Sequence, residues 1–229
     1  MQYNKFCKKF MGEFMNKKIK ITAAVIIMSF IALPVFVKSI PGGADSLAKL
    51  FSGNGNFLKK ADKNLMAELS KGQHPYAVVV TCSDSRVSPE IIFDENLGKI
   101  FVVRTAGNVV DEIALGSIEY AVEHLHVPLV IVMGHQSCGA VKAAIEAKGE
   151  PEGNIGAIIK EIMPSVKKVK AAAKADKNIE NKVIIENVKN VMANITLKSS
   201  IMNEEIEHGK VQVIGFYYSI ETGKAEKIQ

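Results

Sequence analysis

Five side chains fall into two short segments and could do chemistry together. Cys82, Asp84 and Arg86 lie in Thr81-Cys82-Ser83-Asp84-Ser85-Arg86-Val87, and His135 and Cys138 lie in Gly134-His135-Gln136-Ser137-Cys138-Gly139. Two thiolates and an imidazole are the set that zinc prefers, with a fourth position open to water or a carboxylate. A Cys82–Cys138 disulfide competes with that reading if the chain is exported to an oxidising compartment. A structural zinc site usually takes four protein ligands with closely spaced Cys pairs, and the chain has no CxxC. Asp84 and Arg86 are two residues apart, so an extended loop aims both the same way. His74, His124, His126 and His208 stand in no partner motif and read as surface or helix-end residues.

The elements around these segments read as alternating strand and helix. Short unbroken apolar runs at 76–80, 100–103, 128–133 and 211–216 suit strands buried on both faces, as in a parallel sheet. Cys82 follows the first run directly, while His135 and Cys138 follow the third. Strands one and three are neighbours in common doubly wound sheets, so their C-terminal loops meet. The fold class is therefore α/β: a mostly parallel central sheet flanked by helices, in flavodoxin/Rossmann-like order.

Helices are expected at 57–69, from a cap at Asp111 to Leu125, at 140–147, and twice within 155–208. Breaks are expected near Pro164 and 176–181, and Gly209 caps the last helix. The stripe Ile184, Val188, Val191, Ile195, Met202 and Ile206 reads as core, and the lysines of 160–177 read as a solvated face. Residues 221–224 read as a turn into a short edge strand.

The segments 82–87 and 134–139 resemble the two signature motifs of beta-class carbonic anhydrases. Residues 104–108 (Arg-Thr-Ala-Gly-Asn) and 116–121 (Gly-Ser-Ile-Glu-Tyr-Ala) also resemble that class. The resemblance runs from Phe57 to the C-terminus. It implies one Zn²⁺ per chain held by Cys82, His135 and Cys138, with Asp84 and Arg86 as a catalytic dyad. In a closed form Asp84 would itself be the fourth ligand; in an open form it pairs with Arg86. Gln73 resembles a substrate-contacting residue of the class. The implied reaction is reversible hydration of carbon dioxide to bicarbonate and a proton, by zinc-hydroxide attack. The implied assembly is a homodimer or homotetramer with an N-terminal helical arm. Thr105 departs from the Asn that many members carry. Two alternatives are a related zinc hydrolase acting on carbon disulfide or carbonyl sulfide, and a catalytically silent zinc- or anion-binding module.

Charge and hydropathy separate the two ends of the chain. The 229 residues carry 29 Lys+Arg and 24 Asp+Glu, a net +5. Seven lysines against the single acid Glu13 give residues 1–44 a charge of +6, leaving −1 on the rest. A basic body for nucleic acid is thereby excluded. Residues 21–37 are uncharged and follow six of those lysines, the layout of a secretory signal. Cleavage after Ala44 is one expectation; an uncleaved membrane anchor is another, since seventeen residues span about 26 Å of a roughly 30 Å core. Either way export is expected, to the periplasm or outside the cell. Cys7 precedes the apolar run and so is no lipid-attachment candidate. The expected organisation is signal or anchor at 1–44, linker at 45–56 and catalytic domain at 57–229.

Overall fold

The computed structural model describes residues 42–149, 153–172 and 178–229. The apolar run 21–37 and Cys7 lie outside the described residues. Among the described residues no helix is long and apolar enough to cross a membrane. The chain divides into two units at Lys60–Ala61.

Of the first unit, the structure describes helix α1 (Gly43–Lys60). The Gly/Ser/Asn-rich stretch 52–56, expected as linker, lies inside this helix. Gly53 and Gly55 cost about 1 kcal/mol each relative to Ala. Asp45 in the first turn and Lys59 and Lys60 in the last complement the helix dipole and work against that cost.

The second unit opens with α2 (Lys63–Leu69). The helix expected over 57–69 is thus split, because the Asp62 carboxylate accepts from the N–H groups of Asn64 (2.8 Å) and Leu65 (3.5 Å) and starts a new helix. There follow β1 (Ala77–Cys82), α3 (Pro89–Ile92), β2 (Ile100–Thr105), a 3₁₀ turn (Ala106–Asn108), α4 (Glu112–Leu125), β3 (Leu129–His135) and α5 (Gly139–Glu146). The chain then runs through α6 (Ile155–Ala172), α7 (Ile179–Lys198), α8 (Ser200–Glu207), β4 (Gln212–Tyr218) and β5 (Ala225–Lys227).

The sheet order is β2-β1-β3-β4-β5, with β5 alone antiparallel. This is the flavodoxin-like order expected from the alternating pattern, and β5 is the expected edge strand. All six residues of β1 are buried, as befits a strand with neighbours on both sides. One face of the sheet, carrying Val78, Val80, Val130 and Val132, packs with α4 (Ile118, Ala121), α7 (Val188, Val191, Ile195) and α8 (Met202). The other, carrying Val79, Ile131 and Met133, packs with Ile92 and Phe93.

Of the two expected helix breaks, the one at 176–181 coincides with the start of α7 at Ile179, and the one at Pro164 is missing. Pro164 lies inside α6, where it removes one backbone hydrogen bond but leaves the helix continuous. Buried Ile159, Ile162, Val166 and Val169 hold both sides of it against the fold. The region 155–208 instead gains a break at Ser199, giving three helices rather than two. The Ser199 hydroxyl accepts from the Met202 N–H (3.0 Å) to cap α8 and donates to Glu119 Oε1 (2.5 Å) on α4. The stripe expected as core is core: Ile184, Val188, Val191, Ile195 and Met202 are all buried, and Ile206 packs partly buried against them.

Candidate metal centre

Parallel pairing brings the ends of β1 and β3 side by side, with Thr81 opposite Met133. Cys82 closes β1, His135 closes β3, and Cys138 sits at the N-cap of α5. All three are buried, and their ligand atoms lie within 4.8 Å of one another. Both cysteines are free thiols, so the disulfide alternative is not what the fold adopts.

Local backbone geometry explains how the end of one strand and the turn after it can supply two ligands. Ser137 takes φ +56°, turning the chain so that His135 and Cys138 face the same point. Gly134 must lack a side chain, because a Cβ there would meet Ile184 Cγ2 and Val188 Cγ2 at 2.8 Å. That close approach seats α7 against the end of β3. The Gln136 side chain ties the turn to the loop after β4: its Oε1 accepts from Ser219 Oγ (3.2 Å) and the Glu221 N–H (3.1 Å).

His135 supplies the test of whether a metal fits. Its Nδ1 is 2.9 Å from the Gln136 carbonyl, which can only accept, so Nδ1 carries the proton. Nε2 is then left with a lone pair, buried and without a hydrogen-bond partner. A buried nitrogen without a partner costs free energy unless something takes its lone pair. With two thiols beside it, a soft divalent ion such as zinc is what the donor set fits.

The electrostatics agree. Cys82 is drawn down to about 4, foremost by the Cys138 hydrogen bond, against burial, with further help from His135 and the Gly107 N–H. That N–H lies 3.2 Å from Cys82 Sγ. Cys138 is pushed up by its bond to the Cys82 sulfur and by burial, although the N–H groups of Val141 and Ala140 at the start of α5 favour its thiolate. The contact between the two sulfurs thus favours thiolate at Cys82 and thiol at Cys138, and a cation seated beside them would have both sulfurs to bind. Burial opposes charge on His135, but Cys82, the Gln136 carbonyl and Asp84 raise it overall.

Asp84 and Arg86 form the rim. Asp84 Oδ1 accepts from the Arg86 backbone N–H and Nε, both 2.9 Å, and Oδ2 accepts from Nη2 at 2.7 Å. Arg86 Nη2 also donates to the Ser137 carbonyl at 3.1 Å, tying the two loops together. The guanidinium holds the Asp84 carboxyl well below the usual carboxylate range, against a smaller opposing effect of burial. Asp84 Oδ2 stands 4.0 Å from His135 Nε2, turned toward Arg86 but within reach of the centre. Asp84 thus makes the contact with Arg86 that the open alternative calls for. Gln73 is exposed, and no hydrogen bond joins it to this cluster.

Three further residues shape the site. Arg104, at the end of β2, donates through Nε to the Cys82 carbonyl (3.0 Å) and through Nη2 to the Asp84 carbonyl (2.6 Å). It thereby clamps the loop that carries the dyad. Gly107 aims its N–H at Cys82, and buried Asn187 donates from Nδ2 to the Gly107 carbonyl (3.0 Å). Arg104 at the end of the second strand and Gly107 just after it stand where loop chemistry is to be sought in this fold. The signal for Asn187 was a polar residue inside the apolar stripe of α7.

Residues 77–225 match the protein family described as carbonic anhydrase. Carbonic anhydrase 2 of Mycobacterium tuberculosis is 43% identical over 164 residues, covering 69% of this chain and 77% of that protein. The carbonic anhydrase of Mycolicibacterium smegmatis is 40% identical over 163 residues, covering 70% and 78%. Among solved structures, the Coccomyxa beta-carbonic anhydrase in complex with acetazolamide aligns with a TM-score of 0.71 at 26% identity, covering 83% of this chain and 87% of that one.

Proposed function

The chain belongs to the carbonic anhydrase family, in its beta class, and from that premise we propose that Cys82, His135 and Cys138 hold one zinc ion while Asp84 and Arg86 manage the reacting oxygen. The reaction is reversible hydration of carbon dioxide to bicarbonate and a proton. The observation that carries the residue assignment is the buried, partnerless Nε2 of His135 facing two free thiols.

Zinc, when bound, supplies the Lewis acidity that makes water a nucleophile near neutral pH. The chain's own part begins with charge. Two thiolates and a neutral imidazole would balance the ion's two positive charges, so the centre would be neutral overall.

Orientation follows from Asp84. Arg86 occupies Oδ1 twice and Oδ2 once, which leaves Oδ2 the freer oxygen, on the side of His135. Held ionised, Asp84 accepts a hydrogen at Oδ2 from the oxygen that attacks carbon and so turns that oxygen's lone pair toward the substrate. Arg86 keeps the carboxylate in one plane through a two-point contact that Lys could not reproduce. Arg104 fixes the backbone on either side of Ser83, so the dyad and Cys82 move as one piece.

The test is metal analysis of the purified protein joined to a carbon dioxide hydration assay before and after chelation. The expected result is zinc near one per chain, with activity lost on its removal and restored on its return. Activity that survives complete removal would overturn the assignment.

A further inference from the structure

We infer that Asn187 is a positioning residue for the metal centre: through the Gly107 carbonyl it holds the Gly107 N–H on Cys82 Sγ. This inference rests on the zinc reading above and adds to it a residue of α7, far in sequence from the ligands it serves.

Asn187 occupies a core position, 1% exposed, between Ile184 and Val188 on the buried stripe of its helix. A polar amide there is costly, and its Oδ1 has no hydrogen-bond partner. Stability alone would favour an apolar side chain at this point. Its one buried hydrogen bond goes from Nδ2 to the carbonyl of Gly107, a residue 80 positions away (3.0 Å). The carbonyl can only accept, which fixes Nδ2 as the donor.

Gly107 needs this anchor because of its own conformation. It takes φ +70° within the 3₁₀ turn after β2, and a Cβ there would meet Ile162 Cδ1 at 2.7 Å and Ala140 Cβ at 3.0 Å. With no side chain to hold it, its two flanking peptide planes turn about its φ and ψ more freely than those of any other residue. One plane carries the N–H that donates to Cys82 Sγ at 3.2 Å. The other carries the carbonyl that Asn187 grips. Anchoring the second plane to α7 limits how far the first can swing from the sulfur.

The consequence concerns the ligand rather than the substrate. An N–H donor on a thiolate draws off part of its electron density and fixes which lone pair remains for the metal. Asn187, which touches neither substrate nor metal ligand, would therefore set both how firmly Cys82 holds zinc and how much charge it donates. Partners that orient metal ligands in this way typically change affinity or activity about 10–100-fold when removed.

The test compares the full-length wild type with Asn187→Leu, which keeps the volume and removes the donor, and with Val191→Ala, a buried change in the same helix away from Gly107. Zinc affinity is read by competition with a chromophoric chelator, and the thiolate-to-metal charge-transfer band is read on the cobalt-loaded proteins. We expect Asn187→Leu to lose about tenfold in zinc affinity and to shift the band, while Val191→Ala does neither. Wild-type affinity and an unmoved band in a folded Asn187→Leu would overturn the inference. If that variant does not fold, Asn187→Ala, which removes the donor without adding bulk, is read in the same two ways. Weaker zinc binding and a shifted band in Asn187→Ala support the inference, and wild-type values overturn it. A wild type that takes up no zinc would refute the functional reading itself; unaltered zinc binding by Asn187→Leu would refute only the role of Asn187.

Discussion

The core beneath α4 and α8 and the cluster around Cys82 and Cys138 share one sheet, yet they are built on opposite terms. The first is apolar throughout: Val78, Val80, Val130 and Val132 meet Ile118, Ala121, Ile195 and Met202. In the second, two thiols sit among Val87, Val109, Val141 and Ile162. Among the described residues, four buried side-chain polar atoms have no partner, on Asn108, His135, Ser165 and Asn187. His135 is at the centre, Asn108 and Asn187 lie against the Gly107 turn, and Ser165 is on α6. Two non-glycine residues at positive φ, Asn108 and Ser137, are there as well. One region is arranged to be stable, and the other holds, in His135 Nε2 beside two thiols, a group that a bound ion would satisfy.

That contrast can be broken by substitutions on either side. The largest effect is expected from Asp84→Asn, which keeps shape but loses the charge that Arg86 and the reacting hydrogen both require. Carbon dioxide hydration should fall by about 10²-fold or more, while zinc content stays close to wild type. A near-normal rate would remove Asp84 from the mechanism. The loss should be the same from pH 6 to 9, because Arg86 depresses the Asp84 pKa and the carboxylate is ionised throughout. A depressed carboxylate contributes stability above its unfolded pKa of about 4 and loses it only as pH falls further.

A smaller and opposite result is expected in the apolar core. Ile118, fully buried on α4, should cost about 2–5 kcal/mol when replaced by Ala, read from chemical denaturation. Zinc stoichiometry and the rate per folded molecule should be unchanged. A proportional loss of zinc would mean that the two regions are one mechanical unit, and the contrast would fail.

The sequence made one of these regions far more legible than the other parts of the site. Cys82, His135 and Cys138 could be placed together because unbroken apolar runs mark buried parallel strands, and neighbouring strands bring their C-terminal loops together. The spacing of Asp84 and Arg86 implied only that both aim the same way; their role as a dyad came from the resemblance. Asn187 was not legible, since its partner lies 80 residues away and nothing local distinguishes a gripping amide from a tolerated one. Arg104 was noticed only as part of a segment; its two carbonyl contacts depend on how β2 and β1 align. Element boundaries failed where a tertiary contact outweighed a local rule. Pro164 stays helical because its flanks are buried, Ser199 breaks a helix while bonding Glu119, and Asp62 starts a new one within the single helix expected over 57–69.

The central claim is that the two free cysteines and His135 form a metal site of two sulfurs and one nitrogen. X-ray absorption at the zinc edge of the loaded wild-type protein tests it most directly. The account predicts two sulfur ligands and one imidazole nitrogen in the first shell, with a light atom, oxygen or nitrogen, in the remaining position. A shell without sulfur, or one of four sulfurs, would contradict it.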